Sequence, residues 1–134
     1  MWWKRKHTEP EKKQILGHDF IKSGVVWTGE VEVGEQLIRV SIDDREGMPD
    51  PTFLLRLPAF EAEARDYLAH LPIHDYVLED VSANVEGVSL RFVYKGNYEY
   101  PYEPDPETGE MLEEFVTVRF KADKIAYYST ETFH

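Results

Sequence analysis

The sequence predicts an α+β domain: a mostly antiparallel, twisted sheet of about six strands, in the order ββαββββ, with one main helix on one face. Three observations predict this class. Several segments alternate apolar and polar residues, one segment repeats apolar residues every three to four positions, and the connections between strands are short. The 134 residues fit a single domain, 1–134, that is long enough to bury one hydrophobic core.

The first predicted strand pair covers residues 25–33 and 37–43. Both segments alternate, with Trp27, Val31 and Val33 on one face of the first and Ile38, Val40 and Ile42 on one face of the second. Residues 34–35, Gly-Glu, provide a short turn between them. This pattern is typical of a β-hairpin.

The predicted helix covers residues 58–71. Pro58 suits the first turn of a helix, and Pro72 stops it. Asp50 is placed to cap a helical turn that begins at Pro51. Apolar residues on the predicted buried face recur at helical spacing: Leu57, Phe60, Ala64, Tyr67, Leu68 and Leu71.

Four more strands follow the helix. Residues 77–94 read as a second hairpin that turns at Glu86-Gly87, because apolar residues alternate on both sides of that pair. Residues 115–120 and 124–128 read as a third strand pair around residues 122–123. Apart from the connection that contains the helix and the loop at residues 97–114, the connections between strands are short, which favours antiparallel neighbours.

Charge and composition exclude several classes of function. A net charge of −11 argues against binding to nucleic acid or to an anionic membrane surface, and it favours a basic partner. The chain has no cysteine and no apolar run near the ~20 residues that cross a bilayer, so we expect a cytoplasmic protein without a thiolate site. Residues 1–24 carry a net charge of +3, which predicts that residues 1–20 form an N-terminal arm.

Residues 97–114 form the most distinctive segment, a long acidic loop with seven acids and no lysine or arginine. Its acids can steer a cationic surface, and its tyrosines can anchor it. We therefore predict a cytoplasmic protein-binding module for a basic protein, needing no cofactor or metal. The predicted partner-binding residues are Tyr98, Glu99, Tyr100, Tyr102, Glu103, Asp105 and Glu107. A solvated connection between two strands is the competing interpretation.

Two alternative functions stay open at this point. An enzyme or a ligand- or metal-binding domain could use His70, His74 and Asp75 near the helix end, or the Asp43–Asp44 pair. No nucleophile elbow or glycine-rich phosphate loop supports catalysis, so the sequence favours a non-enzymatic protein. A homodimeric structural module could instead pair through an edge strand or through an uncovered aromatic face.

The order of glycine, valine and isoleucine residues from Gly29 to Asp43, followed by a helix and the 118–120 Val-Arg-Phe strand, resembles small acidic bacterial domains of unknown function. Some of these resemble immunity proteins, which neutralise secreted toxins. The resemblance implies a bacterial, non-enzymatic protein of the kind that acts as an immunity-type inhibitor. It transfers no functional residue to this sequence.

Overall fold

A computed structural model describes residues 11–71, 76–94, 113–122 and 124–133. Within these residues the chain forms one mixed sheet of eight strands, with a short helical crossover. The strands are β1 (Lys12–Ile15), β2 (His18–Ser23), β3 (Val26–Val33), β4 (Gln36–Asp43), β5 (Tyr76–Asn84), β6 (Gly87–Tyr94), β7 (Glu113–Lys121) and β8 (Lys124–Phe133).

The strands lie side by side in chain order, from β1 at one edge to β8 at the other. Every neighbouring pair is antiparallel except β4 and β5, which run parallel. Parallel neighbours need a crossover connection, and the chain supplies one as a 3-10 helix, Pro51–Arg56, that continues into helix α1, Leu57–Tyr67. Helix α1 packs on the second half of the sheet, where Phe60 contacts Phe120 of β7 and Tyr67 contacts Tyr128 of β8.

The predicted fold class is wrong in two respects: the sheet has eight strands rather than six, and the protein is mostly β with one short helix rather than α+β with a main helix. The additional strands, β1 and β2, fall largely in the segment predicted as an N-terminal arm. Their turn residues, Leu16 and Gly17, both have positive φ, which is the conformation of a type I′ hairpin turn. Leucine is rare in that conformation, so the sequence shows no recognisable turn there.

The helix is shorter than predicted and has an irregular start. The amide of Leu68 donates to the Ala64 carbonyl at 3.0 Å, and the last helical residue is Tyr67 rather than residue 71. The predicted cap at Asp50 is confirmed, because its carboxylate accepts a hydrogen bond from the Thr52 amide at 3.0 Å. Pro51 opens the 3-10 helix, as its fixed φ favours.

The core lies between the helices and one face of the sheet, here called the inner face. One row of opposed positions crosses the sheet from Phe20 past Gly29 to Val40, and continues through Val81, Leu90 and Val118, all of them at most 1% exposed apart from the glycine. Helix α1 adds Phe60, whose ring centroid lies 4.6 Å from that of Phe120. These contacts join strands from both halves of the chain in a single hydrophobic layer.

The opposite face of the sheet, here called the outer face, is polar over its centre. A row of hydroxyl side chains crosses it at Thr28, Ser41, Ser82 and Ser89. Arg119 ends this row, with Nη1 donating to the Ser89 hydroxyl at 2.9 Å and Nη2 to the Asn84 side chain at 3.1 Å. A polar centre explains how a sheet with helices on one side only can be stable in water.

Candidate protein-binding site

One end of the sheet is acidic, and the strand register defines it. Opposed residues Glu30, Arg39, Asp80 and Arg91 form a border row across the outer face. The described strands and turns beyond that row contain no lysine or arginine. Their acids, which together define the acidic end, are Glu32, Glu35, Glu79, Glu113, Glu114 and Glu131.

Among the described residues, the cations nearest to the acidic end already have partners. Asp80 in the border row lies 3.5 Å from Arg39 and 3.8 Å from Arg91. The Arg91 guanidinium also lies over the Phe115 ring, 4.0 Å from its centroid. On the inner face, Arg65 of helix α1 donates to a Glu61 carboxylate oxygen and to the Tyr76 carbonyl, both at 3.1 Å. Because these cations pair with other groups, they neutralise little of the negative electrostatic potential of the acids beyond them.

Strands β4 and β5 separate at the acidic end and leave a cleft between them. They pair only over Arg39–Ile42 and Asp80–Ala83, although both strands extend further in this direction. A register shift between Leu78 and Asp80 marks a bulge at Glu79, and a bulge bends its strand away from its neighbour. The cleft has a volume of about 350 Å³ and is lined by Gln36, Leu37, Ile38, Val77, Leu78 and Glu79.

The predicted acidic loop connects β6 to β7 at this same end of the sheet. Val93 and Phe115 are opposed in the two strands, so the segment between them leaves and re-enters the sheet at the acidic end. Its base is packed: the Tyr76 hydroxyl donates to the Glu114 carboxylate, and the rings of Tyr76 and Tyr94 meet edge to face at 5.7 Å. Strand topology thus brings the ends of the loop to the acids of four other strands and turns.

The predicted partner-binding residues themselves lie outside the described residues. They are Tyr98, Glu99, Tyr100, Tyr102, Glu103, Asp105 and Glu107, all within 95–112. Four acids of the acidic end were not predicted from the sequence, because they are scattered over distant segments: Glu32, Glu35, Glu79 and Glu131. Their common signal is that each lies near the end of a strand, at the end of the sheet where β6 ends and β7 begins.

The first alternative site, near the helix end, is described only in part. His70 lies with Nε2 3.2 Å from the Tyr128 hydroxyl and its ring 6.0 Å from the Tyr128 ring. His74 and Asp75 fall outside the described residues. The described position of His70 gives it a packing role between the end of α1 and strand β8.

Asp43 and Asp44 are neighbours in sequence, but their carboxylates bind different groups. Asp43 accepts a hydrogen bond from the Arg45 amide at 2.8 Å and so closes a local turn. Asp44 instead accepts the Trp27 indole N–H at 2.9 Å and pairs with Lys22 at 3.2 Å. The Trp27 hydrogen bond, followed by Lys22, holds the pKa of Asp44 below its ordinary 3.8. Each carboxylate thus stabilises its own surroundings rather than sharing a site.

A further pocket of about 200 Å³ lies at the opposite end of the sheet, between the 3-10 helix and the β5–β6 turn. Its polar residues include Asp50, which caps the 3-10 helix by accepting a hydrogen bond from the Thr52 amide. They also include Asn84, whose side chain accepts hydrogen bonds from the amides of Glu86 and Gly87. Among the described residues, no group of three or more His, Cys, Asp or Glu side chains could hold a metal ion. This pocket therefore shows turn-forming contacts rather than convergent chemical groups.

Comparison with protein-family models, curated proteins and solved structures finds no significant match to this chain. Within the part of the chain that the structure describes, no helix is long and apolar enough to span a membrane.

Proposed function

We propose that this protein is a cytoplasmic, non-enzymatic binding module whose acidic end receives a basic protein. The observation that supports the proposal is charge segregation: the described strands and turns beyond the border row contain six acids and no lysine or arginine. A partner with a cationic surface would meet a field of one sign there. An inhibitor that covers a basic surface of its target, as immunity proteins do, fits this arrangement.

The loop at residues 97–114 supplies the second part of the proposed interface. Tyr94, the last residue of the strand before it, and Glu114 both contact Tyr76 at the acidic end. Tyrosine side chains are common anchors in interfaces because they bury a large area at a small cost in conformational entropy. We propose Tyr98, Tyr100 and Tyr102 as anchors, and Glu99, Glu103, Asp105 and Glu107 as the charged rim.

Electrostatic complementarity of this kind acts first on the rate of association. Charged rims raise association rate constants at low salt, and the gain falls as the Debye length shortens to about 8 Å at physiological ionic strength. A partner bound through the acidic end should therefore associate more slowly as salt rises. Its dissociation should depend more on the tyrosine anchors.

The test begins with capture of a partner from the native lysate at low salt, followed by binding kinetics with the purified partner. The first variant, E32Q/E35Q/E79Q, neutralises three acids of the acidic end and leaves the loop intact. The second, E103K/D105K/E107K, reverses three charges of the loop. We expect the association rate constant to fall roughly tenfold or more in each variant, with less change in dissociation.

A matched control separates local from global charge. The variant E11Q/E46Q/E86Q also removes three negative charges, but from exposed positions in the remainder of the chain. We expect this control to associate at nearly the wild-type rate. If the control slowed association as much as E32Q/E35Q/E79Q, which changes net charge by the same amount, only net charge would matter, and a site at the acidic end would be refuted. If a captured partner associates with every variant at the wild-type rate, the proposal as a whole is refuted.

A further inference from the structure

Strand β8 is a long edge strand with one side open. It pairs with β7 over its length, and no other described strand pairs with it. The open side of an edge strand presents unpaired N–H and C=O groups, which can add a strand from another chain. At ten residues, β8 offers the longer of the two edges of this sheet.

The two edges of the sheet differ in how well they are protected against such pairing. Strand β1 has only four residues and carries Lys12 and Lys13, and both features discourage edge pairing. Strand β8 contains no proline, and its only lysine is Lys124 at its start. Its sequence, KIAYYSTETF, is rich in residues that favour strands. The β8 edge is thus the one suited to a contact.

Charge is arranged with opposite signs along β8. At the hairpin end, Lys124 is opposed to Lys121 in β7, and like charges in opposed positions destabilise a strand pair. Asp123, between them in sequence, lies outside the described residues. Near the other end of β8, Glu131 is exposed at the acidic end of the sheet. A strand that is cationic at its start and anionic near its end is complementary to an antiparallel copy of itself.

The register against β7 shows which residues such a copy would oppose. Phe120 is opposed to Ile125 and Arg119 to Tyr127, so Ala126 is an unpaired bulge residue. Lys124, Tyr127 and Glu131 consequently share the outer face, with Ile125, Tyr128 and Thr130 on the inner face. A two-fold axis perpendicular to the sheet must oppose residues of the same face, which limits the possible registers.

We propose that a second copy of this chain pairs antiparallel with β8, about a two-fold axis at Tyr128. With Ala126 unpaired in both copies, Ser129 is opposed to Tyr127 of the second copy and Thr130 to Ile125. One position further, Glu131 is opposed to Lys124 of the second copy, and symmetry forms this pair twice. The contact joins the two sheets into one and satisfies both open edges.

Local complementarity can outweigh the charge of −11 on each copy. Repulsion between distant exposed charges is screened beyond about 8 Å at physiological ionic strength, whereas opposed side chains lie within about 4.5–5.5 Å. The inference does not depend on the proposed binding of a basic partner. Accordingly, Glu131 is unchanged in the variants that test the acidic end.

The first test is a charge swap followed by sedimentation of the full chain over a wide concentration range. We expect the dimer dissociation constant to rise roughly tenfold or more in both K124E and E131K, because each variant turns two attractive pairs into repulsive ones. The double variant K124E/E131K should return close to the wild-type value. If net charge alone governed association, K124E would weaken it and E131K would strengthen it.

The second test uses the absence of cysteine from the chain. A mixture of K124C and E131C chains should form a disulfide-linked dimer under mild oxidation, much faster than either variant alone, because only the mixture places two thiols opposite each other. Q14C on the β1 edge is the matched control and should cross-link slowly. A wild-type chain that stays monomeric at every concentration overturns the proposal. A dimer whose dissociation constant is unchanged by the charge swap, and whose cysteine variants cross-link no faster in the mixture, overturns it too.

Discussion

The indole N–H of Trp27 donates to the Asp44 carboxylate at 2.9 Å, and so ties strand β3 to the segment that follows β4. Lys22 of β2 completes the cluster, 3.2 Å from the same carboxylate and 5.4 Å from the centroid of the Trp27 ring. A buried tryptophan needs a partner for its N–H, and here the partner is charged. The cluster joins three consecutive strands where the hydrophobic core thins toward the β1 edge.

The Asp44 carboxylate should therefore stabilise the protein in a pH-dependent way. Its pKa is lowered in the folded state, so its contribution is fully present above about 3.8 and is lost as the pH falls through the folded-state pKa. We expect D44N to lower the urea midpoint at pH 6, and we expect the difference from wild type to shrink toward pH 3. E63Q, on the exposed side of α1, controls for the change in net charge. A midpoint difference that grows on acidification would contradict the prediction.

The Phe20 side chain should show that β2 belongs to the core. Its ring is fully buried opposite Gly29, where an added Cβ would lie 3.1 Å from the ring and 2.6 Å from the Asp19 carbonyl oxygen. We expect F20A to cost about 3–5 kcal/mol of unfolding free energy, measured by urea denaturation. I21A, on the exposed neighbour, should cost no more than about 1 kcal/mol. Similar small losses in both variants would mean that β1 and β2 are peripheral.

The Asn84 side chain should control the β5–β6 turn. Its Oδ1 accepts hydrogen bonds from the Glu86 amide at 2.9 Å, from the Gly87 amide at 3.1 Å and from Arg119 at 3.1 Å. N84A removes all three acceptor contacts, and we expect it to cost about 1–3 kcal/mol in urea denaturation. N84D keeps the oxygen acceptor and should recover most of that loss. Equal losses in N84A and N84D would show that the amide NH₂ group is what matters.

The sequence predicted the position of the central strands well, because each of them is half-buried and alternates. Residues 25–33 and 37–43 match β3 and β4 within a residue at either end, and the turn at Glu86-Gly87 lies between β5 and β6. Strands β1 and β2 were missed because Ile15 and Phe20 are their only buried residues. Two buried positions separated by an unusual turn produce no recognisable alternation of apolar and polar residues.

The sequence by itself determined which segments can form strands, that the helix buries one face, and that residues 97–114 are anionic and rich in tyrosine. These are local properties, since they depend on the spacing and chemistry of neighbouring residues. Only the tertiary structure decided that β4 and β5 run parallel, that a bulge at Glu79 opens a cleft between them, and that acids from distant segments share one end of the sheet. Those features depend on strand order and register, which are fixed by long-range pairing that no local pattern encodes.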